Sequence, residues 1–553
     1  MRTKPYLYSA LAGTVGLGFM ALNFEPIPPT IKLDDRLNIE MVGNITGLSF
    51  SNQPTIVPAS FDLDLKLPIQ PPALYFGFDP PSADMTARSI RKNNFRIVTA
   101  FHSLYPQIHS FDDLTGSYRD SKIYTDDHLV YARFHKDLPN MEFKKDTKAI
   151  LKEITTNDKG FAIINSEKVT PKVRAASGSL PISVWMGWRK SSFPLADRLG
   201  INGELETTIE KLLKGVQSQD ESPPITLIAV GDIMLARSIG KKMTKEIKNN
   251  GETGYPFGGI VETLKNADIT IGNLECAISA KGTPLPGKDY TFRAHPNSTR
   301  QLTTAGFDIV TLANNHSKDY GAEALIDTLE HLKKAGIVTV GAGKNRTEAR
   351  EFKVMTTKDG TRIGFLGYTM VLPRDFLADS KTAGVAWSKE KGLAKDIKAA
   401  KASCDILMVQ YHWGTEYTVN PNEAQRSLAH KTIDIGADIV IGHHPHWIQE
   451  VEFYKDKFIA YSLGNFVFDM NHRPKVTEGM IVTCEIRNKK ITQVHCDPIS
   501  LKGGQPEIIT WEATNIKRDR KTIMKEIFVA SGLIKPDPAP LPKSPTIKLA
   551  KAK

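Results

Sequence analysis

The sequence predicts an α/β protein, and three observations predict it. Apolar, β-branched runs recur through the C-terminal half, from ITLIAVGD and ADITIGNLE to ADIVIGHHPH and FIAYSLGNF. Such continuous runs mark strands buried on both faces. Amphipathic stretches lie between several of them, as in AEALIDTLEHLKKAG and PNEAQRSLAHKTIDIG, and this alternation is the pattern of an α/β domain. Five of the runs also end in side chains able to hold a metal, which places a site at the carboxyl edge of the sheet.

At 553 residues the chain is too long for one ordinary core, so two or more domains are expected. Its 41% hydrophobic and 24% charged residues are ordinary for a globular protein. The net charge of +11 favours anionic partners. No basic helix with interleaved aromatics suggests a nucleic-acid groove, so nucleic acid is not an expected partner.

In chain order, Arg2 and Lys4 precede an uncharged run over residues 5–24, close to the ~20 residues that cross a bilayer. Residues 1–24 are expected to be a single-pass membrane anchor, with the positive end in the cytoplasm and the bulk of the chain extracytoplasmic. A removed signal peptide is the alternative, and the lack of a clear A-x-A site favours the anchor. Residues 25–54 are Pro-rich and read as a stalk. Residues 55–216 read as a smaller α/β domain. There ADMTARSIRKNNFRIVTAF suggests a helix followed by a strand, KDTKAILKEI a helix, and GFAIINSEKVTP a strand and turn. The segments SFDDLTG and KGFAIINSEKVTPKVRAASG resemble parts of type 2 periplasmic solute-binding proteins.

QSQDESPP, residues 217–224, is a polar linker ending in a proline pair. The second α/β domain is expected over 225–505, closed by the hairpin MIVTCEI, RNKK, ITQVHC. Residues 506–553 form a C-terminal extension whose Pro- and Lys-rich tail is expected to be disordered. The four cysteines contain no CxxC pair, which excludes a zinc ribbon. Cys484 and Cys496 could pair across the hairpin in an oxidising compartment, and the strand register decides whether they do.

ITLIAVGD ends in Asp232, and ADITIGNLE ends in Asn273 and Glu275. FDIVTLANNH ends in Asn314, Asn315 and His316, and DILMVQYHWGTE ends in His412 and Glu416. ADIVIGHHPH supplies His443, His444 and His446 around Pro445. Any one of these has an ordinary structural reading: an Asp after a strand usually caps a helix, and an Asn often caps a turn. All five together predict a metal site. Its nitrogen and oxygen donors, without a thiolate, suit one or two divalent ions such as Mn, Fe or Zn.

GDIMLAR, GNLECAIS, FDIVTLANNHSKDYG, GADIVIGHHPHWIQ and YSLGNFVFD, with TFRAHP and AGIVTVGAG between them, resemble the motif series of the CapA capsule-synthesis proteins. That family is implicated in bacterial poly-γ-glutamate production and is similar in fold to calcineurin-like metallophosphoesterases. The resemblance covers about residues 225–501. It implies that Asp232 is the first metal-binding aspartate, that Asn315 ligates a second metal, and that His316 stabilises or protonates the reacting oxygens. It further implies His412, His444 and His446 as ligands, with His443 an additional ring beside them.

Two departures from the phosphoesterase pattern stand out. Met234 occupies the place of a histidine in Asp-x-His, and Asn273 that of a bridging aspartate. Glu275 projects to the same side as Asn273 and can replace the missing anion. The expected metal set is therefore Asp232, Asn273, Glu275, Asn315, His412, His444 and His446, with His316 as acid and Arg237 holding an anionic group. The resemblance implies a membrane-anchored hydrolase or transferase whose metal-activated nucleophile attacks a phosphoryl or amide centre. The alternative is a non-catalytic envelope component that binds or exports an acidic polymer, its metal structural. Expected partners are the membrane, an acidic polymer such as poly-γ-glutamate, and other capsule-synthesis membrane proteins.

Overall fold

The computed structural model describes residues 223–250, 254–510 and 518–533, and ahead of them separate segments between residues 30 and 188. The expected anchor, most of the linker and the Pro/Lys tail lie outside the described residues, as do most of the segments that resemble solute-binding proteins. Among the described residues no helix is long and apolar enough to cross a membrane. The chain divides into two compact units, Met1–Pro224 and Ile225–Lys553.

The first unit is built on one mixed sheet of nine described strands. Its longest strand, Thr86–Ala100, pairs antiparallel with Leu180–Trp188 over most of its length. The helix expected over the first half of this segment is therefore corrected to strand. A weak local helix preference gives way to a long ladder of cross-strand partners. The strand Thr30–Leu33 also lies in the stretch expected to be an irregular stalk, where it pairs with Thr55–Pro58 and Leu74–Gly77. The helix Thr147–Thr156 forms as KDTKAILKEI suggests and packs Ile150 and Ile154 against Tyr124, Ala162 and Ile164.

The second unit carries two larger sheets. The first runs in the order β4 (Val338–Val340), β3 (Ile309–Thr311), β2 (Ile269–Leu274), β1 (Ile225–Ile233), β12 (Glu478–Arg487), β13 (Lys490–Lys502) and β14 (Gln505–Ile508). A short strand, β11 (Asn465–Val467), joins the far end of β1. The second sheet runs β5 (Lys353–Thr356), β6 (Arg362–Thr369), β7 (Ile406–His412), β8 (Ile439–His443), β10 (Lys457–Ala460) and β9 (Val451–Tyr454). Strands β1 to β4, and β6, β7, β8 and β10, are mutually parallel.

Both faces of these strands are buried. Ile228, Val230, Val310 and Leu312 pack with helices α1 (Arg237–Asn250) and α4 (Gly321–Lys334), which flank α2 (Val261–Lys265) and α3 (Thr299–Ala305) in the chain. On the second sheet Leu366, Tyr368, Val409 and Val440 pack with α5 (Leu393–Ala402) and α6 (Glu423–Ile435). The alternate residues, Ala229, Ile271 and Ile309 on one sheet and Phe365, Met408 and Ile441 on the other, are no more than 1% exposed. The sheets come within contact at Gly367, where an added Cβ would lie 2.5 Å from Thr311 Oγ1. This is a sheet-on-sheet core with helices outside.

Four parallel strands begin with the same device. Asp268, Asp308, Asp405 and Asp438 each accept the backbone N–H of a residue on the neighbouring strand, namely Thr226, Thr270, Arg362 and Leu407. Each aspartate's own N–H returns to the carbonyl of that same residue. The recurring Asp-Ile dipeptide in ADIT, FDIV, CDIL and ADIV is the trace of this clip in the sequence. It satisfies otherwise orphaned backbone groups at the sheet edge and fixes strand register.

The closing hairpin forms as expected, turning at Asn488 and Lys489, whose φ values of 50° and 62° fit a type I′ turn. Cys484 faces Val494 and Cys496 faces Val482, so the two cysteines are offset by two positions, and both are free. The unit continues past residue 505. Strand β14 adds to β13, and α7 (Arg520–Ala530) buries Ile523, Met524, Ile527 and Phe528.

Candidate metal centre

The ends of β1, β2, β3, β7 and β8 converge, as the carboxyl edges of parallel strands do. Asp232, Asn273, Glu275 and His412 are at most 1% exposed, and His444 and His446 are 5% and 3% exposed. Two glycines permit this crowding. A Cβ at Gly231 would lie 2.1 Å from the Gly464 carbonyl oxygen, and one at Gly442 would lie 1.9 Å from that of Tyr461. Gly231, before Asp232, and Gly442, before His443, thus have no room for a side chain. His444 and His446 adopt φ values of 98° and 58°, a region unfavourable for non-glycine residues that persists where the surroundings enforce it. Pro445 separates them, and its carbonyl accepts the Tyr417 N–H at 2.8 Å.

Glu275 is the hub. Its Oε1 lies 3.7 Å from His412 Nε2 and 4.0 Å from both His446 Nε2 and His316 Nε2. Two triads of possible ligands share it: Glu275, His412 and His444, and Asp232, Glu275 and His446. Asn315 Oδ1 stands 2.8 Å from His412 Nε2, beside the first triad. His446 Nδ1 is 2.9 Å from Asn465 Oδ1, and Asn465 is in turn held by donating to the Val476 carbonyl. An Nδ1–H donated to Asn465 leaves Nε2 as the donor atom toward Glu275.

The residues fit a divalent cation on one further observation. Glu275 Oε1, His443 Nε2 and His444 Nδ1 are buried without a hydrogen-bond partner. Buried polar atoms are nearly always satisfied, so a cluster of such orphans of one donor character needs a positive partner. All donors are nitrogen or oxygen, which suits a divalent ion such as Mn, Fe or Zn.

Electrostatics sharpen the division of roles. Burial would raise the Asp232 carboxyl, but hydrogen bonds from His443 and His446 hold it well below the usual range. Burial and the Asp232 charge push Glu275 well above its usual range. Burial, with His446 nearby, drives His444 down to about 3. Burial opposes protonation of His446 too, but Glu275 and Asp232 outweigh it and raise that ring to about 9.

Asn273 sits inside the cluster with its amide nitrogen turned to the acids. Nδ2 donates to Asp232 Oδ1 at 2.8 Å and lies 3.5 Å from Glu275 Oε2, while Oδ1 accepts from Asn314 at 2.9 Å. Met234 is fully buried, and its sulfur accepts the Ala236 N–H at 3.2 Å. His443 Nδ1 lies 3.2 Å from Asp232 Oδ1, behind the ligand set.

His316 pairs through Nδ1 with Asp319 Oδ2 at 2.7 Å, and Lys288 bonds to Asp319 and to the Asn315 carbonyl. Burial lowers the His316 pKa, with Asp319 opposing. Its ring stacks on Phe292 at 4.1 Å. Arg237 does not reach the acids. Its Nε lies 3.4 Å from Asp469 Oδ2, and its guanidinium sits 5.6 Å from the Phe292 ring centre. Sequence reasoning assigned no role to Asp319, Lys288, Phe292 or Asn465. Asp319 follows His316 by three residues and Asn465 stands in YSLGNFVFD, so both were in view, whereas Lys288 and Phe292 carry no local signal.

The family model for the bacterial capsule synthesis protein PGA_cap matches residues 226–470, the segment that carries the whole cluster and a metallophosphoesterase-like domain. The chain is 33% identical over 297 residues to the capsule biosynthesis protein CapA of Bacillus anthracis, covering 52% of this chain and 71% of that one. It is 31% identical over 299 residues to the PGA biosynthesis protein CapA of Bacillus subtilis (strain 168), covering 54% and 76%. It is 30% identical over 284 residues to a probable polyglutamine synthesis accessory protein of Mycobacterium tuberculosis, covering 44% and 74%.

Proposed function

The chain belongs to the CapA family of bacterial capsule synthesis proteins, and from that premise we propose that it serves the making of an acidic polymer of the poly-γ-glutamate kind, as a metal-dependent hydrolase or transferase outside the cytoplasmic membrane. The observation that carries the catalytic part is the pair of buried triads sharing Glu275. Asp232, Glu275 and His446 would hold one divalent cation, and Glu275, His412, His444 and Asn315 a second. Such a cation supplies a Lewis acid for a phosphoryl or amide oxygen and lowers the pKa of a bound water.

The protein's own groups do the rest. Asp319 fixes the His316 ring through Nδ1 and leaves Nε2 aimed at the Glu275 side of the cluster. With Nδ1–H on Asp319 the neutral ring presents a bare Nε2, which is placed to take a proton from an attacking group and then pass it to a leaving group. Asn273 ties Asp232 in place from the position where a bridging acid stands in phosphoesterases. We further propose that residues 1–24 anchor the chain, on the strength of Arg2 and Lys4 ahead of an uncharged run.

A second reading rests on Met234 and Asn273. With no histidine at 234 and no anion at 273, the cation could be structural and the protein a polymer-binding component of the capsule machinery. One experiment separates the two. The purified soluble ectodomain is assayed for metal stoichiometry and for turnover of a γ-linked glutamate oligomer, before and after chelation and again after Mn or Zn is restored. Metal-dependent turnover supports the enzyme. Bound metal with no turnover, and unchanged polymer output from cells carrying His446→Ala, supports the second reading.

A further inference from the structure

Rings that carry cations stand beside the His446 end of the cluster. Tyr417, with its own φ at 61°, places its ring 6.3 Å from that of His446 and 6.1 Å from Trp447. The exposed His472 meets the Tyr417 ring edge-on at 5.5 Å. Arg473 lies over Tyr417, its guanidinium carbon 5.0 Å from the ring centre, and Lys475 lies 5.5 Å from the centre of Trp447. Cation–π seating orients such a guanidinium while leaving its N–H groups open to an acceptor.

Four cations thus stand against groups that border the cluster, and three of them are engaged. Lys288 is bound to Asp319, Arg237 is paired with Asp469, and Lys475 is 2.9 Å from Glu526. Arg473 has no carboxylate partner among the described residues and is exposed. Its position follows from the fold. The segment after Arg473 is a short 3-10 turn, Pro474–Thr477, in which Val476 is buried and its carbonyl accepts from Asn465, the residue that also holds His446. A loop with one end fixed to a ligand's own support therefore carries the one of these four cations that has no carboxylate partner among the described residues.

We propose that Arg473, seated on Tyr417, is the residue that grips a carboxylate of the acidic chain as its scissile or acceptor unit enters the cluster, and that Arg237 does not serve this purpose. The two ring distances put the guanidinium about 11 Å or less from His446, roughly three residues of extended peptide. Fewer of the longer γ-linked repeats span that distance, so the gripped anion belongs to a neighbouring unit of the same chain. A guanidinium–carboxylate pair is geometrically specific, and a lysine replaces it poorly.

The inference rests on the acidic-polymer reading, and the test is arranged to tell the two apart. Binding of a γ-linked glutamate oligomer, and in parallel of an α-linked one, is measured by calorimetry on protein loaded with Mn or Zn, with recovery of intact oligomer checked and thermal unfolding as a check on folding. Arg473→Gln should weaken oligomer binding roughly tenfold or more and Arg473→Lys nearly as much. Tyr417→Leu should weaken it in the same direction, and Arg237→Gln should change it less than about twofold. Undiminished γ-oligomer binding by Arg473→Gln overturns the inference and leaves the acidic-polymer reading standing. Arg473-dependent binding of the α-linked oligomer alone upholds the Arg473 site and overturns the γ-glutamyl reading. Binding of neither oligomer by the parent protein overturns both.

Discussion

Glu275 decides more than any other residue in the second unit. It belongs to both triads, and its Oε1 is buried without a hydrogen-bond partner. Replacing it by glutamine removes the anion that both halves share, so Glu275→Gln should bind Mn or Zn far more weakly than Asn273→Ala in a calorimetric titration. His444→Ala and His446→Ala should each abolish most binding. His443→Ala should cost the ~10–100-fold typical of groups that only support the ligands. Equal losses at His443 and His444 would mean that His443 is itself a ligand. The sequence made these residues legible because each ends an apolar run. The engagement of Arg237 by Asp469, 232 positions away, leaves no local trace. The pairing of Lys288 with Asp319 is hidden for the same reason.

Elements are positioned by two devices, glycine contacts and aspartate clips, and each yields a prediction. At Gly442 a methyl group meets the Tyr461 backbone and the Trp413 indole, neither of which can yield. Gly442→Ala should destabilise the second unit by about 1–3 kcal/mol or more in urea unfolding and displace the His443–His446 loop. A result indistinguishable from the parent would show that β8 and β10 can separate freely. At the opposite sheet edge, hydrogen bonds from Arg362 hold the Asp405 carboxyl down at about 2. Its folded pKa lies below the ordinary aspartate value near 4, so its contribution is present above that value and is lost as pH falls through about 2. Asp405→Asn should therefore lower stability at pH 7 and leave it unchanged at pH 1.5; an equal loss at both pH values would exclude the ionic origin. Strand positions in this unit could be read from apolar runs because burial on both faces makes them continuous. Thr86–Ala100 could not, since polar residues in a two-sided ladder carry no apolar period. Helix α7 lies in the C-terminal extension expected from residue 506, where its short apolar face leaves little signal.

For the whole molecule, the two compact units predict independence. A fragment over residues 225–533 contains both sheets, their outer helices and α7, so it should unfold cooperatively on its own. The same fragment ending at residue 505 should be less stable, because it loses β14 and the ion pair of Arg520 with Asp497 at 2.6 Å. An insoluble 225–533 fragment would mean that the first unit contributes to its core. The proposed anchor predicts that protease added to intact spheroplasts digests the second unit. Full protection there would place the cluster on the cytoplasmic side. The separation into two parts was legible in QSQDESPP and in the change from mixed to strongly apolar patterning, whereas the pairing of strands in the first unit depends on partners up to about a hundred residues apart.

The aspartate clips also set a rule of parity for the chain's length. Glu275 follows Asp268 by seven residues, Asn315 follows Asp308 by seven, and His412 follows Asp405 by seven. With the start of each strand fastened to its neighbour, every position along the extended run is assigned to one face or the other by counting. This holds for Glu275 and His412, whereas Asn315 lies past a turn that follows β3. Inserting a single residue between clip and ligand would turn that ligand away from Glu275, and inserting two would turn it back but carry it about 7 Å too far along the strand. Loops outside these intervals can lengthen at small cost, but inside them neither an odd nor an even change of length restores the cluster. Lineages of this fold should accordingly keep those seven-residue steps constant in length while surface loops vary.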